Sequence, residues 1–323
     1  MRPEHRRLAL ILLALLALLA LLSLLLFVAV PGKGLWHTVL LDASHGPIFA
    51  AVTLLLLLMR APEARDSVQA QAMAFGVAVA LGGLIEILQT LGHRPGSWFD
   101  VMTDAIGAAT GLALWHLVRR RGPAPSSTVR DAWLGWPLAV LLAGVAAIAW
   151  PPLQAARAYA WRAAEFPTIA EFQGTRVPEF VEVEGETAGI VELPAPWAHG
   201  AGERALRITY RDGQPRSVQI VEPAADWRGY SSVVVDITNP GDAELRLTFR
   251  IFDAAHDMDY RDRFNLPIAI PPRTRSTVRV ALAAVEASPQ SRRMDMARIA
   301  DVLLFGQPDD GAGQFYVSRL WLE

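Results

Sequence analysis

Apolar residues run nearly unbroken through the first half of this 323-residue chain and alternate with polar ones through much of the second. Leu8 to Val30 is interrupted only by Ser23. A helix rises about 1.5 Å per residue, so about 20 apolar residues cross a bilayer core of about 30 Å. The apolar core of a cleaved signal peptide is shorter, about 7–15 residues, so the run predicts a retained transmembrane helix over 8–30. Four further apolar segments, 42–59, 69–91, 99–118 and 132–150, predict four more. Their connectors carry breakers and charge: Pro31-Gly32-Lys33-Gly34, Arg60-Ala61-Pro62-Glu63, Gly92-His93-Arg94-Pro95-Gly96, and Arg119 to Ser127.

Beyond Trp150-Pro151-Pro152 a juxtamembrane linker is expected over 151–168, with Trp150, Tyr159 and Trp161 suited to a membrane interface. From 169 to 323 the period becomes two. Leu245, Leu247, Phe249 and Ile251 alternate with Arg246, Thr248 and Arg250, and Val278, Val280 and Leu282 alternate with Thr277, Arg279 and Ala281. Further strands are predicted at Phe180–Glu184, Ala205–Tyr210, Ser217–Glu222, Val233–Thr238, Asp301–Phe305 and Phe315–Leu322, with Asn239-Pro240-Gly241-Asp242 as a turn. About nine short strands without a long amphipathic helix imply an antiparallel sandwich. The expected fold is multi-domain: an all-α transmembrane bundle of five helices (1–150), then an all-β antiparallel sandwich, a jelly roll (169–323).

Charge adds an orientation. Arg2, Arg6, Arg7, Arg60, Arg65, Arg119, Arg120, Arg121 and Arg130 flank one side of the expected bundle; Lys33, Arg94 and Arg157 flank the other. Cytoplasmic loops carry the excess of Arg and Lys, so the N terminus is expected inside and the sandwich outside. After residue 157 there are 18 basic and 24 acidic residues, a net charge of −6. That balance argues against nucleic acid as a partner. The absence of cysteine excludes disulfides and thiolate chemistry. There is no phosphate-cradling glycine loop, G-x-S-x-G elbow or H-E-x-x-H pair, and the seven histidines are scattered, so neither a metal site nor a cofactor is expected.

Ionisable residues inside a membrane are costly and each needs a reason. With the helices threaded in this order, Asp42, His45, Glu86, Gln89, Arg94, Ser97, Asp100 and Asp104 all fall near the outer boundary. Glu86 and Gln89 share a helix face, as do Asp100, Asp104, Gly107 and Gly111. Gly107 and Gly111 form a small-xxx-small pattern, and Gly82 and Gly83 offer a matching surface one turn below Glu86, so the third and fourth helices are expected to pack as a tight hairpin. The polar residues then either pin that hairpin or form a site.

The same residues resemble the VanZ-like family. Asp42, His45 and Phe49 match its D-x-x-H-x-x-x-F helix. Glu86-Ile87-Leu88-Gln89, Arg94, Ser97, Asp100, Asp104, Gly107 and Gly111 match its E-x-x-Q hairpin and the residues that follow. The likeness covers residues 30–120. Ala43 stands where the family often has lysine, and Asp104 where it often has asparagine. The resemblance implies a multi-pass protein of the bacterial inner membrane and envelope, with a link to glycopeptide (teicoplanin) resistance, but supplies no reaction.

Asp226-Trp227-Arg228-Gly229-Tyr230, Val233 to Pro240 and Asp253 to Phe264 resemble a galactose-binding-like jelly roll of the kind found in carbohydrate-binding modules. That implies a glycan ligand, with Arg250, Phe252, His256, Tyr260, Arg261 and Asn265 as candidate contacts. Packing is the alternative role for the aromatics. Asp253, Asp257, Asp259 and Asp262 form either a solvated acidic loop or a calcium site without EF-hand spacing.

Three functions compete. One is a membrane-embedded binding module whose partners are the lipid bilayer and an envelope glycan or lipid-linked precursor. Another is an enzyme, a hydrolase or transferase, using Glu86 or Asp104 as base with His45. The third is a scaffold whose outer domain recruits a protein.

Overall fold

A computed structural model describes residues 34–91, 97–119, 127–307 and 311–323, together with 11, 12, 15–17 and 20, which are helical. The remainder of the expected first helix and Arg94 lie outside the described residues. Four long helices follow: α1 (Leu35–Leu58), α2 (Val68–Leu91), α3 (Trp98–Arg119) and α4 (Ser127–Glu165). Each contains a stretch long and apolar enough to cross a membrane. A short α5 (Leu282–Glu286) lies in the second half, so six helical elements occur among the described residues rather than five.

Small residues set how the helices meet. A Cβ on Gly107 would collide with the carbonyl oxygen of Gly46, and one on Gly111 would come within 2.6 Å of that of Ala50. The small face of α3 therefore lies on the backbone of α1. This corrects the expected pairing of Gly107 and Gly111 with Gly82 and Gly83. Gly82 instead makes room for the Asp104 carboxylate, and a Cβ on Gly83 would meet nothing within 4 Å. The expectation failed because a small-residue stripe shows that some backbone comes close, not which one. Ile48, Phe49, Val52, Ala78, Ile85 and Ala108 fill the space between α1, α2 and α3. Thr53, Thr103 and Thr110 satisfy their hydroxyls on the carbonyls of Phe49, Phe99 and Ile106, four residues back.

The helix expected to end at 150 runs on to Glu165, through most of the expected linker. Proline removes one helical N–H and crowds the preceding turn, but the alanine-rich stretch after Pro152 is a strong helix former and carries the helix on.

Eleven strands, β1 (Thr168–Glu171), β2 (Val181–Glu184), β3 (Thr187–Glu192), β4 (Arg204–Tyr210), β5 (Arg216–Val221), β6 (Ser232–Asn239), β7 (Leu245–Asp253), β8 (Phe264–Ile270), β9 (Thr274–Ala281), β10 (Ile299–Gly306) and β11 (Gly313–Leu322), make two antiparallel sheets. One has the order β3-β4-β11-β6-β9, with β1 also paired to β11; the other has the order β2-β5-β10-β7-β8. Eleven is two more than the nine expected, and three of them, β1, β3 and β8, match none of the segments named from the sequence. β3 and β8 are edge strands; β3 is largely exposed and contains Gly189, and β8 contains Pro267, a residue tolerated at an edge. β1 is only four residues long.

Trp227, Phe172, Phe249, Phe315, Leu206, Ile237 and Ile251 are wholly buried between the sheets. Truncating one of the phenylalanines to alanine costs about 3–5 kcal/mol in such a core. Asn239 fixes the turn its sequence announces: its amide nitrogen donates to the carbonyls of Ala243 (2.9 Å) and Ile270 (3.0 Å), and its oxygen accepts from Gly241 N.

Candidate functional site

In the helical part, the α1–α3 contact places His45 opposite Asp104. Nδ1 of His45 lies 2.9 Å from Oδ1 of Asp104, and both residues are buried. The backbone N–H of Ser97 donates to Oε2 of Glu86 at 2.8 Å, which ties the start of α3 to the end of α2. Ser97 also caps α3, its hydroxyl accepting from Asp100 N at 3.3 Å. Glu86 and Gln89 are buried, and Asp42 and Asp100 half-buried. Ligand atoms of His45, Glu86 and Asp100 all lie within 4.8 Å of one another. Glu86 and Asp100, 14 residues apart in the sequence, thus face common surroundings.

A second polar set, which the sequence reading passed over, lies where α3 ends. Asp66 accepts from Trp115 Nε1 and Arg119 Nη2, each at 3.0 Å, and His116 Nε2 lies 2.8 Å from Gln71 Oε1. The hydrogen bond from Arg119 holds the Asp66 carboxyl below its usual range. The Asp66, Gln71, Trp115 and His116 signal is absent from any one segment, because the partners are 45 or more residues apart.

In the sandwich, the strand alternation of β7 sends Leu247, Phe249 and Ile251 inward and Thr248, Arg250 and Phe252 outward. Register carries this across the sheet. Glu182 pairs with Gln219, Gln219 with Leu303, Leu303 with Arg250, and Arg250 with Asn265. Arg250 Nε donates to Asn265 Oδ1 at 3.1 Å, and its guanidinium lies 4.4 Å from the centre of the Phe305 ring. Gln219 Nε2 donates to Asp301 Oδ2 at 2.6 Å. Asp301 is 6% exposed, and its Oδ1 has no hydrogen-bond partner. Burial pushes its carboxyl up to about 6; the Gln219 bond opposes the rise and the Glu182 charge adds to it. Glu182, Gln219, Asp301 and Phe305 escaped the list of candidate contacts, although the alternating strand segments around Gln219 and Asp301 hold polar residues at outward positions.

The other candidates behave differently. Tyr260 is 66% exposed and Arg261 is exposed. The His256 side chain is 3% exposed, its ring centred 4.6 Å from that of Phe252 at a tilt of 35°, and hydrogen-bonded through Nδ1 to the Asp262 carbonyl oxygen at 3.0 Å. His256 is therefore part of the loop interior and not a surface contact, which corrects its expected role. Arg292 explains the acidic run. Its guanidinium donates to both oxygens of Asp253 (2.6 and 2.7 Å) and both of Asp262 (2.6 and 2.8 Å). Two of the four carboxylates of the run are thus engaged by that cation, while Asp257 and Asp259 each accept from a backbone N–H, of Asp259 and Arg261 respectively.

Among the described residues the structure thus defines four membrane-capable helices and an antiparallel β-sandwich. No protein-family model matches the chain, and no curated protein matches it. Among solved structures, an exo-β-agarase is similar at 16% identity and a TM-score of 0.40, over 48% of this chain and 24% of that one. The matched part is thus about a quarter of the agarase. A family 11 carbohydrate-binding module from Clostridium thermocellum, in complex with a β-1,3-1,4-mixed-linked tetrasaccharide, is similar at 15% identity and a TM-score of 0.35, over 48% of this chain and 93% of the module. A non-crystalline-cellulose-specific module, CBM28, matches at 12% identity and a TM-score of 0.35, over 49% of this chain and 93% of its own. None of these values assigns the chain to a family, and the VanZ-like resemblance rests on its own residues.

Proposed function

We propose that this chain is a VanZ-like membrane protein of the bacterial envelope that binds a glycan or a lipid-linked envelope precursor outside the cytoplasm. The observation that carries this reading is the outward row Glu182, Gln219, Leu303, Arg250 and Asn265, in register across five strands and polar at four of its five positions, with Asp301 and the Phe305 ring beside it. Sugar hydroxyls pair with carboxylates, amides and guanidinium groups, and sugar C–H faces stack on rings. The asymmetry of Arg and Lys supports a cytoplasmic N terminus in the inner membrane with the sandwich on the far side. The resemblance adds the link to glycopeptide resistance.

Calorimetry on the full-length protein in detergent tests the reading, using soluble peptidoglycan fragments and mixed-linkage β-glucan oligosaccharides as separate probes. Binding of at least one class is expected, weakened tenfold or more by Arg250→Ala and by Gln219→Ala, with circular dichroism showing each variant folded at the assay temperature. Absence of binding to both, or indifference to both substitutions, refutes it.

A second reading, a membrane-embedded hydrolase or transferase, has the His45–Asp104 contact in its favour. A buried carboxylate at one imidazole nitrogen orients the ring for base catalysis at the other. Turnover of envelope lipids by the purified protein, abolished in His45→Ala, would decide for it.

A further inference from the structure

We propose that His45, Glu86 and Asp100 bind a single divalent transition-metal cation, of the Zn2+ or Mn2+ class, at the meeting point of α1, α2 and α3. The inference stands on the geometry of the helical bundle and not on the glycan reading of the sandwich. Three observations carry it.

The three residues bring one imidazole nitrogen and two carboxylate oxygens within 4.8 Å of one another. An N,O,O set of three protein ligands leaves coordination positions open, as in zinc and manganese sites that hold water or substrate. The ligands come from three different helices, so no spacing along the chain announces them, and the expectation of no metal followed from looking for one.

Glu86 points independently to a ligand. It is 6% exposed, its Oε2 is held by Ser97 N, and its Oε1 is buried with no hydrogen-bond partner. A buried carboxylate oxygen left without a donor is rare in folded proteins and calls for a cation or a proton. Among the described residues no arginine forms an ion pair with Glu86, Asp100 or Asp104.

The third observation concerns His45. Its Nδ1 is engaged by Asp104 Oδ1 at 2.9 Å, and Asp104 is fully buried. This leaves Nε2 as the nitrogen a metal would meet. A carboxylate behind the ligating histidine fixes its tautomer and raises its basicity, and the arrangement recurs behind metal-bound histidines. Asp104 is thereby a positioning residue. Its other oxygen faces Gly82, where a Cβ would collide with it.

The test uses the full-length protein in detergent, stripped with a chelator and dialysed, then titrated separately with Zn2+ and with Mn2+. Bound metal is counted by elemental analysis and affinity measured by calorimetry. One equivalent of at least one ion is expected, with affinity reduced at least tenfold in Glu86→Gln and Asp100→Asn. Asp100 is half-buried and its replacement nearly isosteric, so that variant keeps the fold. Asp104→Asn is expected to weaken binding by a smaller factor without changing the stoichiometry. Failure of the wild type to take up a stoichiometric ion, or unchanged affinity in Asp100→Asn, overturns the proposal. Neither outcome bears on glycan binding, which reads out on the sandwich.

Discussion

Nδ1 of His45 and Oδ1 of Asp104 meet at 2.9 Å across 59 residues of chain. The pair joins α1 to α3 where Gly46 and Gly107 let the two backbones approach, so the polar contact and the small-residue contact reinforce one another. Removing one member of a buried pair leaves the other without its partner, which costs about 3–5 kcal/mol. Asp104→Ala is therefore expected to destabilise the bundle by about 3 kcal/mol, and Asp104→Asn, which keeps an acceptor for His45, by less. Denaturation of the purified protein in mixed micelles measures both. Equal stability of Asp104→Ala and wild type would remove the pair from the account of what holds the bundle.

The glycines separate into two groups with opposite expectations. Gly107→Ala and Gly111→Ala force a methyl against the backbone of α1, which cannot yield as a flexible side chain would. Overpacking of that kind costs about 1–3 kcal/mol. Gly83→Ala meets nothing within 4 Å and replaces a poor helix former with the best one. It is expected to be neutral or to stabilise by up to about 1 kcal/mol. Melting temperatures of the three variants in one detergent decide the matter, and a loss in Gly83→Ala as large as in Gly107→Ala would contradict the packing described.

Arg292 is expected to be the most sensitive surface-reaching residue of the sandwich. Four charge-assisted hydrogen bonds leave it for Asp253 and Asp262, both buried. Arg292→Ala strands two carboxylates at a loss of about 3 kcal/mol, and Arg292→Lys, which lacks the planar fork, recovers only part of it. Its guanidinium holds Asp262 down at about 2. Against the burial that would raise it, the same group holds Asp253 below its usual value. Depressed carboxyls contribute stability above their unfolded pKa of about 3.8 and lose it as pH falls towards the folded value. In Arg292→Ala the acid side of the stability profile is therefore expected to flatten between pH 4 and 2, which hydrogen exchange of the β7 amides can follow.

Much of the architecture is legible along the chain because its causes are local. Apolar runs locate α1 to α3 to within a few residues except at the start of α1, and strict alternation locates β7 and β9. What escaped is non-local. No pattern in 98–119 shows that Gly107 faces Gly46 rather than Gly82. Nothing near Asp253 points to Arg292, 39 residues away. His256 reads as a surface contact until its ring is seen packed against Phe252 and buried. The row Glu182, Gln219, Arg250 and Asn265 depends on the order of strands in the sheet, which alternation within single strands does not encode.

Asp301 supplies a pH dependence with a definite sign. Burial is the main cause that lifts its carboxyl from 3.8 to about 6; the Glu182 charge adds to the rise, and the Gln219 and Arg250 groups oppose it. Between those two values the folded protein holds a proton that the unfolded chain has released, so rising pH favours unfolding. The contribution of Asp301 is thus fully present below about pH 3.8 and is lost as pH climbs through about 6. At about 1.4 kcal/mol per pH unit the loss is on the order of 2–3 kcal/mol by neutral pH. Asparagine has nearly the same shape, carries no charge, and its side-chain oxygen can still accept from Gln219. Asp301→Asn is therefore expected to match wild type near pH 4 and to exceed it by on the order of 1–3 kcal/mol at pH 7.5. Hydrogen exchange of the β10 core amides at the two pH values gives the difference directly. A gap of the same size at both would mean that the Asp301 carboxyl is ionised throughout and that Gln219 and Arg250 compensate its burial in full.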